Sequence, residues 1–549
     1  LRPAHEPARR TIPTGEVPGL APLVRDFLTR PEKVAAFYSG DFRDPQAFAD
    51  QAERVTARRL PRERLASVLA AQNRLYGCGP ATLANIDRLA ADGSCAVVTG
   101  QQVGLFSGPL YTVYKALTAV KLAARLDRDR AAPFVPVFWL ASEDSDLDEI
   151  DHIALLDLEN RLEEVRCRPD SAAAGELPAW KVRLDAGVGR GLERLGEMMR
   201  DSEFKPDVLA GLREDYAPGR SFAEAFGRWM TRLFGARGLV FIDPSHPDLK
   251  ALGRDVFRRE IAGDSPSTRQ ALETSRRLAL ANYEPHLRLH EGILNLFLAP
   301  EDRRTIQVSP DGFLVRGMEG EVGREALLRQ VEESPDLFSA NVLLRPIYQD
   351  ALLPTVSYVA GPGEIGYFGQ MKGVYESFGL PMPVIQPRKS VTLLEDHIGG
   401  ILAEFRLEIG DIWSRGEGAG REALKDRLPR SLTEALGRAA GDLARDMDEV
   451  GREIRDFEPG LENSLEAARG KIGRQLDFLE EKILQAARKR ERLASGRLEK
   501  AVNHLYPGRR LQERVFNIVP YLVGYGPAVL DTIYRDLDIG DPGHQVITP

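Results

Sequence analysis

The chain has 549 residues, with 74 Lys and Arg against 82 Asp and Glu, a formal net charge of −8. Its 43% apolar share is enough for a large buried core, which excludes disorder throughout, and its length calls for about three or four structural units. An acidic balance lacks the basic footprint of a nucleic-acid binder, and 50 Gly with 36 Pro is too ordinary for a collagen-like or linker-dominated chain.

Residues 1–93 read as a helical segment packing on a core. Within it, Pro61–Gly77 and Pro80–Ala91 carry apolar residues at helical spacing, each opened by proline. Residues 94–150 begin that core: a strand from Cys95 to Val98, a Gly-rich turn, a helix over Leu110–Leu126 and a strand over Phe134–Leu140. Strand, turn, helix, strand is the βαβ pattern of a parallel sheet. Residues 151–220, hairpin-like and charged, form a first insertion. The core resumes over 221–261 with an amphipathic helix Phe222–Gly238 and a strand within Gly238–Asp243. A second insertion, 262–345, contains strand candidates Asn295–Leu298 and Thr305–Val308. The last core section, 346–395, supplies Val356–Ala360 and Met382–Ile385.

From 396 to 505 the composition turns to Ala, Leu, Glu, Arg and Lys. Ile398, Leu402, Phe405, Ile409 and Ile412 form a heptad seam predicting one helix over Ile398–Trp413; Leu443 to Phe457 repeat it within Leu432–Phe457. A third run, with a stutter, predicts a helix over Leu461–Leu505. A helix of that length must pair within the chain or with a second chain. Residues 506–549, helical over Leu511–Asp538, are expected to dock back on the core.

Four turns at strand exits carry the chemistry. The first holds Thr99, Gly100, Gln101, Gln102, Gly104, Ser107, Gly108 and Tyr111, followed by Lys115. It opens a helix, where unpaired backbone N–H groups attract a phosphate or carboxylate. It is neither a Walker loop nor a Gly-x-Gly-x-x-Gly loop, and a merely tight turn would also fit. The second is acidic, Ser142-Glu143-Asp144-Ser145-Asp146 running on to His152, and suits an amine, a metal or a base. The third holds Gly361, Glu364 and Tyr367, with Lys372 beyond and Arg345 before it. The fourth is Gln386-Pro387-Arg388-Lys389-Ser390, whose cations and hydroxyl suit phosphates. No metal site is expected, because histidines near the acidic turn are sparse and no Cys pair has ligand spacing. Cys78, Cys95 and Cys167 are read as buried hydrophobes rather than nucleophiles in a reducing cytoplasm. No apolar run approaches ~18 residues, so no membrane partner is expected. The opening LRPAHEPARRTIPTGEVP has no signal-like stretch.

The wording VTGQQVGLFSGPLYTVYKALTAVKLA, PVFWLASED with DEIDH, LRPIYQDALLPTVSYVAGPGEIGYFGQ, PRKSVTLLE, and LQERVFN with YLVGYGP closely resembles one family over about residues 15–537. That family is the bacillithiol biosynthesis cysteine-adding enzymes (BshC). The resemblance implies an α/β fold: a Rossmann-like parallel-sheet core with two inserted connecting-peptide subdomains and a C-terminal α-helical coiled coil that makes a homodimer. It implies a ligase that joins the carboxyl of L-cysteine to the amine of glucosaminyl malate, the last step of bacillithiol biosynthesis, through an activated carboxylate. The core also resembles those of nucleotidylyltransferases and pantothenate synthetase-like ligases, with Gly104–Pro109 at their phosphate motif but lacking its histidines. Ser145 stands where His is expected in many members, which shifts attention to Glu143, Asp144 and His152.

On this reading Thr99–Tyr111 bind carboxylate or phosphate, Glu143 and Asp144 orient the amine, and Arg345, Lys372 and Arg388 partner anions. An adenine nucleotide, ATP or ADP, is expected where an antiparallel arm brings Gln386, Arg388, Lys389 and Ser390 to Asn503, Tyr506 and Asn517. An apolar edge along Leu465, Phe478 and Leu493 is the expected dimer seam. Two rival readings are a non-catalytic nucleotide- or thiol-sensing scaffold and a nucleotidylyltransferase acting on another carboxylate.

Overall fold

The computed structural model describes residues 10–128, 133–169, 177–299, 303–416, 430–490 and 492–549. They form two compact units: one running to Leu393 and taken up again over Gln512–Pro549, the other spanning Leu394–Leu511.

The first unit is built on five parallel strands: β1 (Cys95–Gln101), β2 (Phe134–Leu140), β3 (Val240–Ile242), β4 (Thr355–Ala360) and β5 (Val384–Pro387). Their order across the sheet is β5-β4-β1-β2-β3. Buried side chains fill β2 and β4 from end to end, because both sheet faces are covered. That is why the sequence shows unbroken apolar runs there. Helix α1 (Leu110–Arg128) carries the chain from β1 to β2. After β3 the chain crosses to the other side of β1 and enters the sheet as β4. The connections leaving β1 and β4 therefore run in opposite directions along the sheet, and such a switch point opens a crevice for ligands.

Between β2 and β3 lie a hairpin (His152–Leu156 with Leu162–Arg166) and helices Gly187–Met198 and Lys205–Asp215. Between β3 and β4 lie α2 (Pro247–Ala262), α3 (Pro266–Leu280) and a five-stranded antiparallel sheet. That sheet includes Ile293–Leu298 and Arg304–Val308, slightly longer than the sequence indicated. Val165 and Leu192 of the first excursion, and Leu296 and Phe338 of the second, belong to the same apolar cluster as the central sheet. The excursions thus share one core instead of enclosing cores of their own. A small sheet of Arg10–Ile12, His544–Ile547 and Val391–Leu393 ties the last residues to this unit. The helix expected over Leu511–Asp538 is instead two, Val519–Tyr525 and Ala528–Asp536. The break is Gly526, at φ 71°, where an added Cβ would lie 2.8 Å from the Phe204 ring.

In the second unit the helix expected over Ile398–Trp413 is also two, α4 (Asp396–Phe405) and α5 (Ile409–Arg415). Arg406 takes a left-handed φ of 54° and ends the first. Helices α6 (Arg430–Phe457) and α7 (Glu462–Arg490) fold back on each other through a short turn at Pro459–Leu461. Leu465 packs on Gly451, and Arg469 pairs with Asp448. Helix α8 (Arg492–Leu505) follows; Glu491 and the side chain of Leu493 lie outside the described residues. No described helix is long and apolar enough to cross a membrane.

Candidate functional site

A cavity of about 640 Å³ opens at the carboxyl ends of β1 and β4, walled on its far side by Phe297, Ala340 and Asn341 of the antiparallel sheet. A cleft of this size holds a metabolite-sized ligand. Gly100 is required where the strands converge. Its added Cβ would lie 2.9 Å from the Trp139 carbonyl oxygen and 3.5 Å from the Tyr358 hydroxyl.

Three buried cations stand around this cavity, each matched to a carboxylate. The Lys115 ammonium donates to the Gly100 carbonyl (2.8 Å) and Gln101 Oε1 (2.9 Å), and pairs with Glu364 at 2.6 Å. Burial pulls its pKa below the ordinary lysine value, and Glu364 offsets only part of that. Glu364 also accepts from the Gly361 N–H (2.7 Å) and the Tyr358 hydroxyl (2.8 Å), so this pair ties the exit of β1 to that of β4. Arg388 makes a two-pronged pair with Glu513, at 2.8 and 2.7 Å, and lies over the Tyr111 ring at 5.5 Å. Burial alone would raise the pKa of Glu513; Arg388 reverses this and holds the carboxyl below the usual range. Lys250 of α2 donates to Glu143 at 2.5 Å, its ammonium over the rings of Tyr348 (5.1 Å) and Phe257 (5.4 Å).

Arg345 differs. Its hydrogen-bond partners are Gln349 (2.9 Å), Tyr367 (3.1 Å) and Tyr358 (3.3 Å), all neutral. A guanidinium on a cavity wall whose hydrogen-bond partners are neutral, with Glu364 acting on it through space, suits an incoming carboxylate or phosphate. Asp144, also on the cavity, accepts from Gln102 (2.8 Å) and lies 3.5 Å from Arg303.

The structure thus brings together Gly100, Gln101, Gln102, Tyr111, Lys115, Glu143, Asp144, Arg345, Gly361, Glu364, Tyr367 and Arg388 on one cavity. Other candidates from the sequence are placed elsewhere. The buried Thr99 hydroxyl donates to the Val359 carbonyl across the sheet (2.9 Å). The helix entry proposed for anions is closed by the protein itself. The Leu110 N–H donates to the Phe516 carbonyl (2.7 Å), and Asn517 donates to the carbonyls of Phe106 (2.9 Å) and Gly108 (2.6 Å). Gly104, Ser107 and Gly108 are accordingly absent from the lining, as are His152 and Lys372. His152 instead lies 3.2 Å from Asp151, which also takes Arg166 at 2.7 Å within the hairpin.

The nucleotide set is also engaged inside the fold. Gln386 donates to the Ile539 carbonyl (3.0 Å) and Lys389 to the Asp541 carbonyl (2.6 Å), while Ser390 donates to Glu513 (2.9 Å). Asn517 is fully buried, and Asn503 and Tyr506 belong to the second unit.

Lys250, Arg303, Glu513 and Arg514 were missed in the sequence. Lys250 does carry a signal, a lysine at a buried position of an amphipathic helix just beyond a strand. Glu513 lies inside LQERVFN, a stretch whose polar residues stand among apolar ones. Cys95 and Cys167 are buried and Cys78 half-buried; burial pushes the Cys167 thiol up to about 12, which leaves it inert.

Residues 10–389 match the family described as "Bacillithiol biosynthesis BshC, N-terminal Rossmann-like domain", and residues 391–549 match its "C-terminal coiled-coil domain". A Salinibacter ruber protein named "Putative cysteine ligase BshC" is 35% identical over 99% of each chain. Proteins of the same name from Koribacter versatilis (34%, over 98% of this chain and 99% of the relative) and Chloroherpeton thalassium (34%, over 88% of each) are similar to it as well.

Proposed function

The chain belongs to the BshC family of bacillithiol biosynthesis, and on that premise we propose that it is a cytoplasmic ligase forming a carbon–nitrogen bond. The reading is that it joins the carboxyl of L-cysteine to the amine of glucosaminyl malate. The observation that carries it is the cavity at the switch point, which Arg345 lines together with two carboxylates, Glu143 and Asp144.

In this reaction the amine nitrogen attacks the carbonyl carbon of an activated cysteine carboxyl. The new C–N bond forms, the amine gives up a proton, and the bond to the activated oxygen breaks. Lys250 engages Oε1 of Glu143 and leaves Oε2 to accept from the substrate amine. Asp144, at the rim, takes the proton. Arg345 holds the negative charge that develops on the carbonyl oxygen. A free carboxylate needs activation, and an adenine nucleotide, when bound, would supply it by turning a carboxylate oxygen into a leaving group. Among the cations that line the cavity, Arg345 and Lys115 have the chemistry that holds phosphates.

Purified protein given cysteine, glucosaminyl malate and ATP is expected to yield the amide by mass spectrometry, and an Arg345→Gln variant to yield far less. A reproducible absence of amide, also with cell extract added, would overturn the ligase. Pyrophosphate release without cysteine would favour the nucleotidylyltransferase reading instead.

The arm supports a homodimer. Phe457, Phe478 and Leu479 are 85, 57 and 47% exposed. Apolar side chains along one helical hairpin suit a self-complementary two-fold contact.

A further inference from the structure

In the second unit, Glu395, His397 and His504 each bring one metal-ligating atom to within 4.8 Å of the others. Glu395 is the N-cap of α4 and His397 the second residue of that helix, while His504 lies in the last turn of α8. One carboxylate oxygen of Glu395 lies 3.1 Å from His504 Nδ1. The two imidazoles stand edge to face, 5.4 Å between centroids at an interplanar angle of 89°.

An ion pair would need only Glu395 and His504. Convergence of a second imidazole on the same point adds the third donor that a metal site uses. With zinc–ligand bonds of about 2.0–2.2 Å, ligand atoms sit roughly 3.3 Å apart. The 3.1 Å separation already meets that spacing, and the remaining closure is a side-chain rotation of the exposed His397. Two imidazoles, one carboxylate and a fourth position for water make a donor set for zinc; magnesium and calcium prefer oxygen alone. The last turn of α8 adds the negative end of a helix dipole, which favours a cation.

We propose that Glu395, His397 and His504 form a zinc site that fastens the first helix of the arm unit to its last. The ligands lie near opposite ends of the second unit's chain, so a metal bound there closes a long loop. A metal bound by the folded state and not by the unfolded one stabilises the fold by mass action. The ion thus acts on the stability of the arm, and the proposal stands independently of the ligase reading.

Tag-free full-length protein, stripped with EDTA, is titrated with zinc chloride by calorimetry and with cobalt(II) by visible absorption. One saturable site per chain is expected, with the intense cobalt bands of four-coordinate geometry. Affinity should fall at least about tenfold in His397→Ala and in His504→Ala. His397 is exposed, so its replacement tests the site even where the His504 variant fails to fold. Absence of stoichiometric binding, unaltered zinc affinity in His397→Ala, or equal competition by magnesium would overturn the site.

Discussion

In the first unit, the side chains of Arg388 and Glu513 are 3 and 1% exposed; in the arm, Phe457 and Phe478 are 85 and 57% exposed. One region buries charge and the other leaves apolar surface in water, each against the ordinary preference. Buried ion pairs are often no more stabilising than apolar residues of similar volume, so stability alone does not account for them. Around the cavity, the pairs Lys115–Glu364, Lys250–Glu143 and Arg388–Glu513 fix the strand exits and the groups that would meet substrate. Exposed apolar side chains on a helical hairpin point to contact with another surface. On the function proposed above, the first region serves chemistry and the second association.

The contrast is broken most severely by removing one half of a buried pair. Glu513→Ala leaves the Arg388 guanidinium enclosed without its carboxylate and strips acceptors from Ser390 and the Val391 N–H. A cost of about 3–5 kcal/mol is expected in urea unfolding. A loss below about 1 kcal/mol would mean that water reaches Arg388.

Acid attacks the same cluster. His544, buried against Ser390 and Thr392, is held down at about 4, chiefly by burial. Between the ordinary histidine value of 6.5 and about 4, the folded protein binds fewer protons than the unfolded chain. The contribution is therefore complete above about pH 6.5 and lost as pH falls toward 4, roughly 3 kcal/mol in all. Glu513, also held low, acts in the same direction. A His544→Asn variant should flatten this limb of the stability–pH curve; an unchanged limb would assign the acid sensitivity to other groups.

Much of the first region was legible because parallel strands covered on both faces leave unbroken apolar runs, as at Phe134–Leu140. The four polar turns stood out because each follows such a run, and their cavity-lining members include Gln101, Glu143, Glu364 and Arg388. Partners supplied from distant segments were not legible. Asn517 closing the turn at Phe106 and Gly108, and Glu513 meeting Arg388, are contacts across 411, 409 and 125 residues that no local pattern encodes. In the arm, heptad spacing found the helices but missed the break at Arg406. The apolar residues on both sides keep the seam in phase, while the backbone there turns left-handed.

A gentler change to the cavity separates chemistry from packing. Lys250→Met retains an apolar stem over Tyr348 and Phe257 but removes the donor to Glu143. Amide formation should drop by about tenfold or more, with Lys250→Arg recovering part of it, while the thermal midpoint changes far less than in Glu513→Ala. Unchanged turnover in the methionine variant would remove Glu143 from the reaction.

The smallest effect on the fold is expected in the arm, and it carries the other half of the comparison. Exposed substitutions usually change stability by no more than about 0.5 kcal/mol, so Phe457→Glu with Phe478→Glu should leave far-UV circular dichroism and urea unfolding of the first unit unchanged. Association should respond strongly. Fully burying one such side chain contributes ~1.5–3 kcal/mol, and association entropy removes about 4–15 kcal/mol, so a dimer needs several of them together. Phe457, Leu461, Phe478 and Leu479 on each copy supply that number under two-fold symmetry. A glutamate at two of these positions would bring a charge against its own symmetry mate's surface. Light scattering at micromolar concentration should therefore report a dimer for the unaltered chain and a monomer for the double variant. A monomer for the unaltered chain would leave the exposed phenylalanines to some other partner and end the case for self-association.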